Sequence, residues 1–332
     1  MPAVPPTAVC ETDWRTLVGM NHEDATRLGV GIIGSGRVGA VMGNALRAAG
    51  HAVIGVSAGS EASRDRAEAL LPDVPVLDVE TIVERAELLL LTVPDDVLPE
   101  LVQGLADLGR FTPGQIVVHC AGRYGTEVLR PAAALGAITL ALHPALSFTG
   151  TSIDLPRLRE STIAVTAPKP VLPIGQALVL EIGAEPVVVP EADRTLYHAA
   201  LSHASNHTVV VLSQAAEVLR EIGVEDPARV LSSLVYASVG NVLQSGPSAL
   251  TGPVSRGDVS TVEAHLAGLA ELAAETGATD TLETYRALAR ATAGRALRNG
   301  TITESTVLGI LGLLDEGSTD GDAAGGPGAG SA

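Results

Sequence analysis

From Gly29 onward the chain repeats one pattern, short apolar runs separated by stretches long enough for an amphipathic helix. The runs are VGIIG at 30–34, AVIGV at 52–56, VPVLD at 74–78, LLLLTV at 88–93, QIVVHC at 115–120 and AITLAL at 137–142, and STIAVT at 161–166 and PVVVP at 186–190 continue the series. Runs of this length, spaced by helical segments, are the signature of βαβ units whose parallel strands are buried on both faces. After Pro190 the strand pattern stops. EADRTLYHAALSHASNHTVVVLSQAAEVLREIG, 191–223, reads as one long helix closed by Gly223. From there to about Leu314 the pattern stays helical, with a break at QSGPSALTGPVSRGD, 244–258.

The expected fold is therefore α/β, a Rossmann-type doubly wound parallel sheet followed by an all-α C-terminal domain. The reading divides the chain near residue 168, with a dinucleotide-binding domain over 28–167 and a helical domain over 168–316. Residues 1–27, with early prolines and no clear period, read as a flexible extension. The last stretch, GSTDGDAAGGPGAGSA at 317–332, holds nothing to bury and reads as disordered.

Composition narrows the function. Of 332 residues, 46% are hydrophobic and 2% aromatic, so aliphatic side chains must do the packing. The formal charge of −17 argues against a nucleic-acid partner, which needs a clustered basic face. No apolar run approaches spanning length and no secretory leader pattern is seen, so a soluble cytoplasmic protein without membrane association is expected. Cys10 and Cys120 form neither a disulfide framework nor a zinc spacing. The single lysine, Lys169, sits in Pro-Lys-Pro, a turn context that disfavours lysine chemistry.

The most specific motif is Gly34-Ser35-Gly36-Arg37-Val38-Gly39, a G-x-G-x-x-G at the first strand-to-helix turn. There it has the context its mechanism demands: Gly34 for the tight turn, Gly36 for backbone approach to a pyrophosphate, and Gly39 for close packing of helix on sheet. The helix N-terminus adds amide donors and partial positive charge. An NAD site expects an acidic residue about 20 residues on. Here Ser57 stands in its place, with Ser60, Arg64 and Arg66 beyond, a set suited to a 2′-phosphate and hence to NADP.

Ligands of open α/β sheets lie outside the carboxyl ends of the strands. Three segments fall there: VPDD with Val93 and Pro94, HCAGRYG with Ala121 and Gly122, and LHPALSFTG with His143, Ser147 and Phe148. Asp95 or Asp96 is expected to cap the following helix, while His119 reads equally as a satisfied core histidine or a site residue. On a wheel of about 100° per residue, His203 and His207 are neighbours while His198 points about 140° to 180° away. No three-histidine metal site can form from them, and no metal is expected. His198 shares its stripe with Ser202 and Ser205, with Asn206 close by. In the second break, Arg256 could pair a substrate carboxylate, and Ser260 with Glu263 reads as a capping box.

Taken together, the Gly34–Gly39 turn, VPDD, HCAGRYG, LHPALSF, ADRTLYHAALSHASNH and LTGPVSRGD resemble the bacterial family that joins a Rossmann-like domain to a helical DUF2520 domain. The resemblance runs in order from about 29 to 295 and departs at Cys120-Ala121-Gly122, where a Ser-Gly is expected. Such proteins resemble the 6-phosphogluconate-dehydrogenase-type and ketopantoate reductases, and one branch is associated with an alternative NADPH-dependent ketopantoate reductase. The resemblance implies an NADP-dependent reductase of a small 2-oxo acid, ketopantoate leading, with a sensor or scaffold, or an imine reductase, as alternatives. Helical second domains of this kind commonly pair, so a homodimer is expected. With lysine excluded, the expected proton donor is His198, then His143, while Asn206 orients the carbonyl and Arg256 binds the carboxylate.

Overall fold

A computed structural model describes residues 28–315. The segments read as an extension, 1–27 with Cys10, and as a tail, 317–332, lie outside them. The described chain forms two compact units, divided between Ser202 and His203.

The first unit is built from β1 (Gly29–Ile33), α1 (Arg37–Ala48), β2 (Ala52–Ser57), α2 (Glu61–Leu70), α3 (Val79–Arg85), β3 (Leu88–Leu91), α4 (Leu98–Asp107), β4 (Ile116–His119), α5 (Arg130–Ala134), β5 (Ile138–Pro144), α6 (Asp154–Arg159), β6 (Thr162–Thr166), α7 (Leu172–Glu181) and β7 (Glu185–Val188). The seven strands run in the order β2-β1-β3-β4-β5-β6-β7. All neighbours are parallel except β5 and β6. The result is a mixed, mostly parallel Rossmann-like sheet.

The all-leucine strand β3 shows why the runs had to be continuous rather than alternating. Leu88 and Leu90 enter one core with Val41, Met42 and Leu46 of α1 and Leu178 of α7. Leu89 and Leu91 enter the other with Ile82 and Val83 of α3 and Val102 of α4. Each apolar side chain so buried contributes about 1.5–3 kcal/mol, and a strand covered on both faces has no position for a polar residue.

One element differs from expectation. VPVLD makes one isolated parallel bridge, Val56 to Val76, rather than a strand. Val56 N–H donates to Pro75 O and Leu77 N–H to Val56 O, but Pro75 has no N–H to offer a further strand, and Asp78 at once caps α3 through Thr81 N–H. The sheet also continues past residue 168. Because β7 pairs in parallel with β6, residues beyond 168 continue the sheet, and the first unit extends into helix α8 (Arg194–Glu221).

The second unit is wholly helical, with the remainder of α8, α9 (Pro227–Ser245), α10 (Pro253–Arg256), α11 (Val259–Thr276), α12 (Asp280–Arg298) and α13 (Glu304–Asp315). Its core is small: Val254, Val262, Leu266, Ala289, Ala293, Ile310 and Leu314. Asp258 is the N-cap of α11 and accepts from Thr261 N–H at 3.1 Å. Ser260, expected to cap, instead donates its hydroxyl to Asp258, because the left-handed Gly257 just before it brings the aspartate to the helix start.

Candidate functional site

Strand registry places Ile33, Leu91, His119 and Ala141 side by side. The residues that follow each of them therefore crowd one edge of the sheet, the carboxyl end of its parallel strands.

At β1 this edge carries the glycine turn. Gly34 has φ +98°, and a β-carbon there would meet Thr92 O at 2.9 Å. Gly39 is pressed still harder, since a β-carbon would lie 2.0 Å from Gly34 O. Thr92 Oγ1 donates to Gly34 O at 2.5 Å and locks the turn against β3. At Gly36, by contrast, a β-carbon would meet nothing within 4 Å. Gly36 is the N-cap of α1, no side chain caps the helix, and no acidic residue lies in its first turn. The first-turn amides, of which Arg37 and Val38 are part, have no partner inside the helix. An open glycine face before uncapped amides and a helix dipole fits a dinucleotide pyrophosphate.

The residues expected to read the ribose divide their work. Ser57 Oγ accepts Gly34 N–H at 3.0 Å, and Ser57 O accepts both the N–H and the hydroxyl of the buried Ser35. Ser57 is thus tied to the turn itself. Ser60 caps α2 through Ser63 N–H, and Arg64 is exposed on α2. Arg66 and Arg37 come together instead, both against the backbone of Gly150. Buried Asp154 holds that loop by accepting from Thr149 and Gly150 N–H at 2.8 and 2.7 Å. Val93 and Pro94 follow β3 at the same edge, and Pro94 O accepts from Val97 and Leu98 N–H. The N-cap of α4 is Val97, without a side-chain bond, so neither Asp95 nor Asp96 caps it. Asp95 lies 3.8 Å from Arg123 instead.

At β4 and β5 the edge carries histidines. His119 is fully buried, with Nδ1 accepting from Ala121 N–H at 3.1 Å and Nε2 donating to Gly125 O at 2.7 Å. Both nitrogens are spent on the loop, which makes it the satisfied core histidine of the two readings. Burial first, then the nearby Arg194, pushes its pKa down to about 4. Ala121 is itself buried in the core.

His143 and His198 converge on Gly122. A methyl group there would sit 2.9 Å from His198 Nε2 and 3.0 Å from His143 Nε2. The two rings stand nearly perpendicular, 5.9 Å apart. His143 Nδ1 is hydrogen-bonded to Tyr197 Oη at 3.1 Å. Burial, followed by Arg194, lowers the His143 pKa to about 4, so this ring is neutral at pH 7.

Arg194 and Tyr197 carry no separate assignment in the motif reading, yet they organise the cluster. Arg194 is 1% exposed. Its Nε donates to Thr166 Oγ1 at 2.9 Å and its Nη2 to Ala141 O at 3.0 Å, while Nη1 is buried without a partner. The first turn of α8 is thereby fastened to β5 and β6. The signal was an arginine heading a long helix beside three further polar residues, but nothing in its spacing says that it turns inward.

The other expected residues are placed differently. Asn206 lies two turns beyond His198 on α8, exposed and on the far side of the unit boundary, and Arg256 is exposed at the end of α10 in the second unit. His203 and His207 pair with each other, Nδ1 to Nδ1 at 2.7 Å, as the helical spacing required. Among the described residues no group of three or more His, Cys, Asp or Glu could hold a metal ion, and no helix is long and apolar enough to cross a membrane.

A mostly parallel sheet with an open glycine turn at the head of α1 and polar groups massed at the carboxyl ends of β4 and β5 defines a Rossmann-type protein. Comparison with known families makes this specific: the chain joins a Rossmann-like domain, matched over residues 19–144, to a DUF2520 domain, matched over 161–292. No curated protein matches the sequence significantly. Among solved structures, the chain is similar to a candidate NADP oxidoreductase from Bacteroides fragilis, with 20% identity over 81% of this chain and 98% of that one and a TM-score of 0.68. An imine reductase from Myxococcus stipitatus in complex with NAD+ is 16% identical over 87% and 99% of the two chains, with a TM-score of 0.52. A reductive aminase from Aspergillus terreus, bound to NADPH, cyclohexanone and allyl amine, is 15% identical over 89% and 95%, with the same TM-score. At these identities the likeness is one of fold.

Proposed function

We propose that the protein is an NADPH-dependent reductase of a small 2-oxo acid, with ketopantoate the first substrate to try. The observation that carries the reading is the meeting of His143 and His198 over Gly122, on the same sheet edge as the open glycine turn. NADPH supplies a hydride when bound. The amides of Gly36, Arg37 and Val38 would hold its pyrophosphate, and Arg37 and Arg66, which meet beside Gly150, would face its 2′-phosphate. A carbonyl oxygen lying between the two imidazoles would meet N–H donors from both as negative charge grows on it. His198 holds that oxygen, and His143, rather than the His198 that the sequence put first, passes it the proton.

A second reading is reduction of an imine, favoured by the imine reductase and reductive aminase among the similar folds. One assay separates the two. Decay of NADPH absorbance is followed with purified protein, ketopantoate, a small oxo-acid panel and a cyclic imine panel, with NADH alongside. Oxo-acid turnover specific to NADPH is expected, and imine turnover alone would replace the first reading with the second. His198→Ala should cost about 10²–10³ in kcat, the usual effect of losing one donor to a developing oxyanion. Binding of NADPH without any turnover would favour a sensor or scaffold. For the assembled protein we propose a homodimer.

A further inference from the structure

We infer that Tyr197 and His143 form a proton relay, with Tyr197 Oη donating to His143 Nδ1 and His143 presenting Nε2–H to the substrate, and that buried Arg194 is the positioning residue that sets this direction. The inference rests on the proposed reduction and adds the route its proton takes.

The geometry leaves few arrangements. His143 Nδ1 is engaged by Tyr197 Oη, and its Nε2 faces the space over Gly122 shared with His198. A neutral imidazole has one proton, so whichever way the Nδ1 bond runs decides whether Nε2 is a donor or an acceptor. The guanidinium of Arg194 decides it. Two hydrogen bonds to β5 and β6 hold it, with its central carbon 5.9 Å from the Tyr197 ring centroid. A fixed cation there favours charge on the phenolic oxygen and opposes a second proton on His143. The groups that face His143 are Arg194, His198 and His119, and each disfavours its protonated form. Those that face Arg194 are Tyr197, Glu191 and Cys120. Burial raises the Tyr197 pKa, and Arg194 offsets part of that rise.

The step balances. NADPH, when bound, would supply the hydride; the substrate oxygen takes the proton of His143 Nε2, and the Nε2–H bond breaks. The Tyr197 O–H bond breaks as an Nδ1–H bond forms on His143. The negative charge ends on Tyr197 Oη, beside Arg194; after product leaves, a solvent proton returns to His143 Nε2 and the Nδ1 proton moves back to Tyr197 Oη, which restores both groups. At no stage does His143 become a cation. A phenol, with an ordinary pKa of about 10, is a far stronger acid than the alcohol formed, so the relay runs downhill.

The test reads the imidazole directly. The full chain, labelled with 15N-histidine, is examined by NMR at pH 7 with and without NADP+, the His143 signals being assigned with His143→Gln. An unprotonated Nδ1 with a protonated Nε2 is expected, giving way to a mixture of tautomers in Tyr197→Phe, which keeps the ring and its packing. A proton on Nδ1, or a tautomer indifferent to Tyr197→Phe, would overturn the relay. In kinetics, wild-type kcat should stay level from pH 6 to pH 8.5, and Tyr197→Phe should lower it about 10²-fold. A fall in wild-type kcat through pH 6.5, as for an imidazolium acid, would overturn it as well. Failure of every substrate while the expected tautomer is seen would sink the reductase reading and leave the polarity of the Tyr197–His143 bond established.

Discussion

Arg194 is a cation that Glu191 reaches only through its field, without a salt bridge among the described residues, and its guanidinium is kept by two hydrogen bonds to the sheet. Such a group is expensive to bury, and its field reaches both His119 and His143. Replacing it with glutamine removes a positive charge that opposes the imidazolium form, so the His143 pKa should rise from about 4 toward the ordinary value of about 6.5. An NMR titration of Arg194→Gln checks this. The sign for stability follows. A histidine whose pKa is lowered on folding weakens the fold once pH drops below its unfolded value, and the penalty grows down to the folded one. Wild-type stability should therefore decline between about pH 6.5 and pH 4, and this component should shrink in Arg194→Gln. The variant also loses hydrogen bonds worth about 1–3 kcal/mol, so the comparison must be of slopes with pH rather than of absolute stabilities.

At the scale of the element, the strand–turn–helix from β1 to α1 makes a sharper separation between folding and binding. Gly36 has open space where a side chain would go, whereas Gly39 has the backbone oxygen of Gly34. Gly36→Ala should fold with a thermal midpoint close to that of the wild type and yet bind NADPH at least tenfold more weakly, because the methyl group enters the space the pyrophosphate needs. Gly39→Ala should lose several degrees in thermal midpoint even without cofactor, since helix and turn must part to admit it. Calorimetry and fluorescence titration of the two variants check the pair. Gly39 was legible in the sequence because the packed turn admits no side chain there, and Gly36 because the motif keeps that face open for a phosphate. The strands were legible for a related reason, burial on both faces leaving unbroken apolar runs. The bridge at Val76 was not, because a short apolar run looks the same whether or not its neighbours lend it hydrogen bonds.

At the scale of the whole molecule, α9 stands out. Of its residues only Pro227 is buried, while Leu234, Tyr236, Val242 and Leu243 are exposed, Leu243 by 81%. So much exposed apolar surface on one helix is the usual mark of an interaction site, which is the basis for the proposed homodimer. Leu243→Asp with Leu234→Asp should shift the sedimenting species from dimer to monomer. A wild-type protein that already sediments as a monomer at micromolar concentration would remove the proposal.

What the sequence determined by itself is whatever depends on local spacing: the order of strands and helices, the glycine turn, and the separation of His198 from the His203–His207 pair along one helix. Each follows from a period of two or of 3.6 residues, or from a backbone angle that only glycine adopts freely. The tertiary structure alone decided which polar side chains meet. His143, Tyr197, His198 and Gly122 come from three separate segments, brought together by parallel strand registry and by an arginine that turns into the sheet. No periodicity records such a meeting, because the energy that holds it comes from contacts between residues distant in sequence.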